Sequence, residues 1–179
     1  MNSNVDGQSD HQWFAIRVKS RCEKTVAAAA RSKGFEEFLP LYRSRHRWSD
    51  RSKLIDEPLF PGYVFCRLNP DQRFALLTIP GVMHLVGTGN LPEALADEEV
   101  VAIREALRTD IPVEPWPFLE NGSRVRLQSG PLAGLEGLLV QADPRQRLVI
   151  GLSVLKQSVA VEIDGNWVEP MPRSTPVSA

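Results

Sequence analysis

Three prolines in twelve residues, Pro112, Pro115 and Pro117 of TDIPVEPWPFLE (109–120), constrain this chain more than any other feature. Proline fixes φ and has no backbone N–H, so such a stretch can neither propagate a helix nor pair as a central strand. It reads as an extended linker, and the 179 residues then divide into two small domains, 11–108 and 121–170. The polar N-terminus (1–10) and the Pro/Ser-rich tail (171–179) read as disordered.

Before the linker, strand and helix signals alternate. Trp13–Val18 (WFAIRV) reads as a buried strand. Ser20 and Glu23 have the spacing of a capping box ahead of a helix through TVAAAARSK, which Gly34 ends. Phe38–Trp48 and Leu59–Leu68 read as two strands of a hairpin, with SDRSK at its turn. Asn69–Pro70 opens a short helix, Pro80–Gly81 ends it, and Val82–Val86 reads as another strand. Asp97 opens a further helix, with Val100, Ile103 and Leu107 on one face. After the linker come five short strands, Arg124–Gln128, Gly137–Ala142, Arg147–Leu152, Val159–Ile163 and Trp167–Glu169, which suit a small SH3-like barrel. The expected class is α+β: an antiparallel sheet flanked by helices, a linker, and a small β-barrel.

Charge is distributed unevenly. Residues 11–67 hold 12 Lys/Arg and 6 Asp/Glu, net +6, whereas residues 68–120 hold 3 and 9, net −6. Residues 121–179 hold 6 and 5, net +1, and the whole chain is −1. This pattern suits a local positive field rather than a generally basic surface. No apolar stretch approaches the roughly 18 residues of a membrane span, and no secretory signal opens the chain, so the cytoplasm is the expected compartment. Cys22 and Cys66 are too few for a disulfide framework. His11, His46 and His84 have no partner at metal-ligand spacing, and no nucleophile elbow, P-loop or HExxH occurs. No metal, cofactor or enzymatic activity is expected.

Two segments carry a resemblance. Val125–Val140 (VRLQSGPLAGLEGLLV) is an apolar strand, a Gly130–Pro131 turn, glycines at 134 and 137, and a second apolar strand. It resembles the KOW motif of transcription elongation factors and some ribosomal proteins. Trp13-Phe14, Phe38-Leu39-Pro40, Leu59-Phe60-Pro61-Gly62-Tyr63-Val64-Phe65 and Pro80-Gly81-Val82 resemble the NGN domain of NusG-type factors. The arginine-rich Arg43–Trp48 with Ser49-Asp50-Arg51 is similar to specialised bacterial paralogs that act on particular operons.

The resemblance implies a non-enzymatic elongation factor that binds the clamp helices of the largest RNA polymerase subunit. Phe60, Pro61, Tyr63 and Phe65 match the segment that builds an apolar docking depression, and Leu85 matches a neighbouring strand. Strand alternation puts Pro61, Tyr63 and Phe65 on one side and Phe60, Gly62 and Val64 on the other, so each aromatic is either core or docking surface. The basic hairpin, Arg43, Arg45, Arg47, Arg51 and Lys53, with Lys19 and Arg21 beside the first helix, is implied to meet upstream or non-template DNA, and His46 or Trp48 can stack on an unpaired base. The KOW domain is implied to recruit Rho or the ribosomal protein NusE through Leu132, Leu135 and Leu155, where the family commonly has aromatics. The glycines and proline of 130–137 oppose the helical refolding known in the RfaH branch, so a stable β-barrel is expected. A monomer is expected, with pausing, termination or antitermination as the regulated step. The competing reading is an RNA- or ribosome-binding KOW module.

Overall fold

The computed structural model describes residues 11–48, 51–89, 91–119, 122–142 and 145–171. In chain order the elements are β1 (Gln12–Val18), α1 (Glu23–Ser32), β2 (Glu36–Phe38), β3 (Leu41–Trp48), β4 (Arg51–Pro58) and β5 (Tyr63–Leu68). Then follow a 3₁₀ turn (Pro70–Gln72), α2 (Arg73–Leu77), β6 (Val82–Leu85), β7 (Gly87–Thr88), β8 (Leu91–Pro92), β9 (Ala94–Leu95) and α3 (Asp97–Arg108). The rest is β: β10 (Val113–Trp116), β11 (Ser123–Leu127), β12 (Glu136–Ala142), β13 (Arg145–Leu152), β14 (Gln157–Ile163), a 3₁₀ turn (Gly165–Trp167) and β15 (Val168–Pro170). The chain forms two compact units, Met1–Leu39 with Phe60–Asp97, and Pro40–Leu59 with Glu98–Ala179. No helix among the described residues is long and apolar enough to cross a membrane.

The first unit is an antiparallel sheet in the order β2-β5-β1-β6, with β9 also paired to β1. Alternation along β1 sends Phe14, Ile16 and Val18 to one face, where they join Val64, Cys66 and Leu68 of β5. Helix α1 closes this layer with Val26, Ala27 and Ala30, and Leu76 and Ile79 complete it. Alanines let the helix lie close to the sheet, and Gly34, at φ +87°, ends it as expected. The opposite face carries Trp13, Ala15 and Phe65, all buried, with Arg17 and Tyr63 further along the same rows.

The expected capping box at the start of α1 does not form. Cys22, not Ser20, is the cap residue, and it makes no side-chain cap hydrogen bond. Lys19–Cys22 is instead a β-turn closed by Cys22 N–H donating to Lys19 O at 3.0 Å, with Arg21 in its third position at φ +64°. The Glu23 side chain turns instead to Gly62 N–H. The Asn69 cap does form: its side chain accepts from Asp71 N–H at 3.0 Å.

In the second unit, the hairpin differs from expectation. Strand β3 pairs with β4 over its whole length, from Leu41↔Pro58 to Trp48↔Arg51, whereas Leu59–Leu68 supplies β5 to the other sheet. Arg51 and Lys53 therefore lie on a strand rather than in a turn. Ser52–Pro58 (SKLIDEP) has no period-two alternation to announce a strand; its continuous register with β3 makes it one. The expected turn residues Ser49 and Asp50 lie outside the described residues, as does the Asp143–Pro144 turn.

The C-terminal half is a six-stranded antiparallel sheet in the order β10-β14-β13-β12-β11-β15. The stretch expected to be a linker supplies β10, which pairs with β14 through Val113↔Val161 and Trp116↔Ser158. The prolines permit this because β10 is at the sheet's edge, where an absent N–H leaves no ladder partner unpaired. Gly137 serves a close strand approach, since a Cβ there would lie 2.6 Å from Val149 O. The terminal stretches 1–10 and 172–179, expected to be disordered, lie outside the described residues. Met171, which belongs to the expected tail, donates its N–H to Arg124 O at 3.0 Å.

Candidate functional site

The segment Phe60–Tyr63 is a tight turn. Tyr63 N–H donates to Phe60 O at 3.1 Å, and Gly62 occupies the third position at φ +81°. Gly62 O accepts from Val18 N–H at 2.9 Å, which ties the turn to the end of β1. Gly62 N–H donates to Glu23 Oε1 at 2.8 Å. Glu23 is buried, so this carboxylate acts as a fixed internal acceptor for the turn.

The turn sorts the expected docking residues. Pro61 is exposed and Tyr63 half-buried. Phe60 and Phe65 are core residues, each 1% exposed, with their rings edge-to-face at 5.6 Å, and Phe38 lies 6.2 Å from Phe65. Their aromatic area is spent inside the fold, so neither offers a surface to a partner. Leu85 pairs with Ile16 and packs against the helix-side core, whereas Tyr63 pairs with Arg17 on the opposite face. The five expected docking residues thus do not form one surface; of the four on the 60–65 segment, only Pro61 and Tyr63 reach solvent.

Sequence reasoning missed the neighbours of that pair. Arg17 is flanked in register by Tyr63 on β5 and His84 on β6, so the three side chains form a row on one face of the sheet. The Arg17 guanidinium lies over the Tyr63 ring, 4.8 Å from its centroid. It also fills the space above Gly62, where a Cβ would come within 2.5 Å of Arg17 Nη1. The available signal was a single arginine inside the apolar run WFAIRV.

Of the expected nucleic-acid residues, Lys19 and Arg21 are exposed on the β1–α1 turn. Arg43 and Arg45 are exposed on β3, opposite Asp56 and Leu54 in register. Lys53 is exposed and sits opposite His46, which places it on the other face of the ribbon. Arg47 lies opposite Ser52, and Arg51 opposite Trp48.

In the C-terminal sheet, Leu132 is 2% exposed and belongs to the core, which corrects its expected role as a partner contact. Its burial follows from the loop's folding back, with Gly134 N–H on Leu127 O at 2.7 Å and Leu127 N–H on Leu135 O at 2.9 Å. Leu135 and Leu155 are half-buried. Arg126, Arg145 and Arg147 pair with Glu136, Glu162 and Glu114. Among the described residues no three His, Cys, Asp or Glu side chains gather as a metal site. The Cys66 thiol is pushed up to about 12, first by burial and then by the nearby Glu37 carboxylate. It is a packing group rather than a nucleophile.

Comparison with known proteins agrees with this architecture. The family model described as transcription termination factor nusG matches residues 11–104. The transcription termination/antitermination protein NusG of Escherichia coli strain K12 is 31% identical over 179 residues, covering 88% of this chain and 95% of that protein. Its namesake from Campylobacter jejuni subsp. jejuni is 27% identical over 173 residues, covering 90% and 98%. Among solved structures, one described as domain interaction in Thermotoga maritima NusG covers 90% of this chain and 98% of its own, at a TM-score of 0.54 and 21% identity, and it supports the fold. These matches place the chain among transcription termination and antitermination factors. It belongs to the NusG family.

Proposed function

We propose that this chain is a transcription elongation factor of the specialised-paralog kind, working in the cytoplasm as a monomer and without enzymatic activity. Its N-terminal NGN domain docks on the clamp helices of RNA polymerase through Pro61 and Tyr63. By preferring the closed, elongating state of the clamp, it raises that state's population and so changes pausing and termination. The β3–β4 hairpin, with Arg43, Arg45, Arg47, Arg51 and Lys53, and the β1–α1 turn, with Lys19 and Arg21, meet upstream or non-template DNA. The C-terminal sheet is a KOW barrel that recruits a partner, NusE or Rho, through Leu135 and Leu155.

The observation that supports this reading is the Phe60–Tyr63 turn, which lies within the family match and leaves Pro61 exposed and Tyr63 half-exposed. The alternative, an RNA-binding KOW module, is disfavoured because three arginines of the C-terminal sheet are already paired with carboxylates. The test is retention of purified core polymerase by the immobilised full-length chain. Binding that Tyr63→Ala weakens at least tenfold, in a variant with unchanged thermal unfolding, supports docking. A wild-type chain that ignores polymerase at micromolar concentration, or retains ribosomes instead, rejects it.

A further inference from the structure

We propose that Arg17 receives a carboxylate from the docked partner, so that the docking face selects an acidic side chain set in an otherwise apolar helical surface. This rests on the polymerase-docking reading above and adds a specificity residue to it.

Arg17 interrupts a buried strand. Trp13, Phe14, Ala15, Ile16 and Val18 around it are all buried, and it alone in that run is half-exposed. Its guanidinium is held in place by stacking on Tyr63 and by the missing Cβ of Gly62. Beyond that ring contact it makes no hydrogen bond or ion pair among the described residues. Glu23, the buried carboxylate that reaches this turn, is committed to Gly62 N–H. An arginine carries five N–H donors, and none of Arg17's meets an acceptor among the described residues.

A partner that covers Tyr63 also shields the half-exposed Arg17 guanidinium from solvent. A desolvated guanidinium without an acceptor costs binding energy, so a partner that fits must bring one. A carboxylate matches the planar fork with two parallel hydrogen bonds. The setting favours a protein over a nucleic acid as its source. Arg17 is half-buried against a tyrosine ring, and Arg and Tyr are residues enriched at the centres of protein interfaces. The exposed Lys19 and Arg21 lie beyond the strand end, where a phosphate backbone has easier access.

The test measures binding of the full chain to core RNA polymerase free of nucleic acid, across a salt series. Arg17→Met keeps the stem and removes the charge; it is expected to weaken binding at least tenfold and to flatten the salt dependence. Arg17→Lys keeps the charge without the fork and is expected to lose less. Arg17→Glu is expected to abolish binding and to regain it with polymerase in which one clamp-helix acid is changed to lysine. Arg17→Met binding within twofold of wild type, while Tyr63→Ala fails to bind, overturns the inference and leaves docking intact. So does an Arg17→Met defect seen only with forked DNA, which assigns the residue to phosphate. Wild type that does not bind core polymerase overturns the docking reading itself.

Discussion

Glu23 and Gly62 are separated by 39 residues, yet the buried carboxylate of one accepts the backbone N–H of the other at 2.8 Å. This bond joins the first turn of α1 to the turn that presents Pro61 and Tyr63. Removing the acceptor leaves a buried donor unsatisfied, a cost of about 1–3 kcal/mol. Glu23→Ala should therefore lower stability by that amount in urea denaturation. Glu23→Gln, which keeps a carbonyl acceptor, should cost less. Equal losses for the two would mean that the hydrogen bond is not what holds the turn.

Gly62 and Arg17 share one space, so their substitutions should not be additive. Alanine at 62 meets two penalties: a left-handed backbone, about 1–2 kcal/mol for an L-residue, and a Cβ placed 2.5 Å from Arg17 Nη1. Only the second depends on Arg17. In an Arg17→Ala background, Gly62→Ala should cost less than it does in wild type, with a coupling of about 0.5 kcal/mol or more. A double-mutant cycle by chemical denaturation measures it, and a coupling of zero contradicts the packing described for the pair.

What could be read from sequence was mostly what local periodicity encodes. The apolar runs of β1 and β5, the alanine-rich α1 with its terminal glycine, and the turn-punctuated strands after residue 120 all show their structure within a few residues. The failures share a different cause. Ser20 and Glu23 have capping-box spacing, but the Glu23 carboxylate accepts instead from Gly62 N–H, in a turn 39 residues away. Period two told that Phe60 and Tyr63 face opposite ways, yet could not say which side solvent covers. The prolines of 109–120 forbid a central strand, and that rule left an edge strand open. Arg17 looked like an ordinary strand residue because its neighbours in the row, Tyr63 and His84, come from two distant strands.

The buried thiol makes stability fall at high pH. Unfolded, Cys66 titrates near about 8.5; folded, it is pushed up to about 12 by burial and by Glu37. Below the unfolded value both states hold the proton, and the contribution is fully present. Above it the unfolded chain releases a proton that the folded chain keeps, so stability drops by about 1.4 kcal/mol per pH unit until the folded thiol also titrates. Relative to Cys66→Ala, wild type should show this additional decline between about pH 9 and 11 in urea titrations. Parallel pH profiles for the two proteins would show that the thiol is not protected.

The C-terminal sheet also has a glycine whose replacement is strained. Gly130 has φ +81°, and a Cβ there would lie 2.6 Å from Trp167 Cε2. An indole is rigid, so relief requires moving the 3₁₀ turn that carries it. Gly130→Ala should destabilise by more than the backbone term alone, about 2 kcal/mol or greater. Tryptophan fluorescence during denaturation reads both the loss and any displacement of Trp167. An unchanged midpoint would mean that this contact is easily relieved.

The hairpin register predicts unequal roles for two neighbouring arginines in DNA binding. Arg43 sits opposite Asp56, whose charge opposes a phosphate at that position. Arg45 sits opposite Leu54, which is 57% exposed and brings no charge. Each lost phosphate contact on duplex DNA lowers the slope of log K against log salt by about 0.9. Arg45→Ala should reduce the slope for forked DNA by about that amount, and Arg43→Ala by less, when fluorescence anisotropy is recorded from low to physiological salt. The exposed Lys53 on the other face should contribute independently of both, so that Arg45→Ala with Lys53→Ala lowers the slope by about twice the single value. A slope indifferent to Arg45 and Lys53 would remove these two from the DNA contact and leave Arg47, Arg51, Lys19 and Arg21 to supply it.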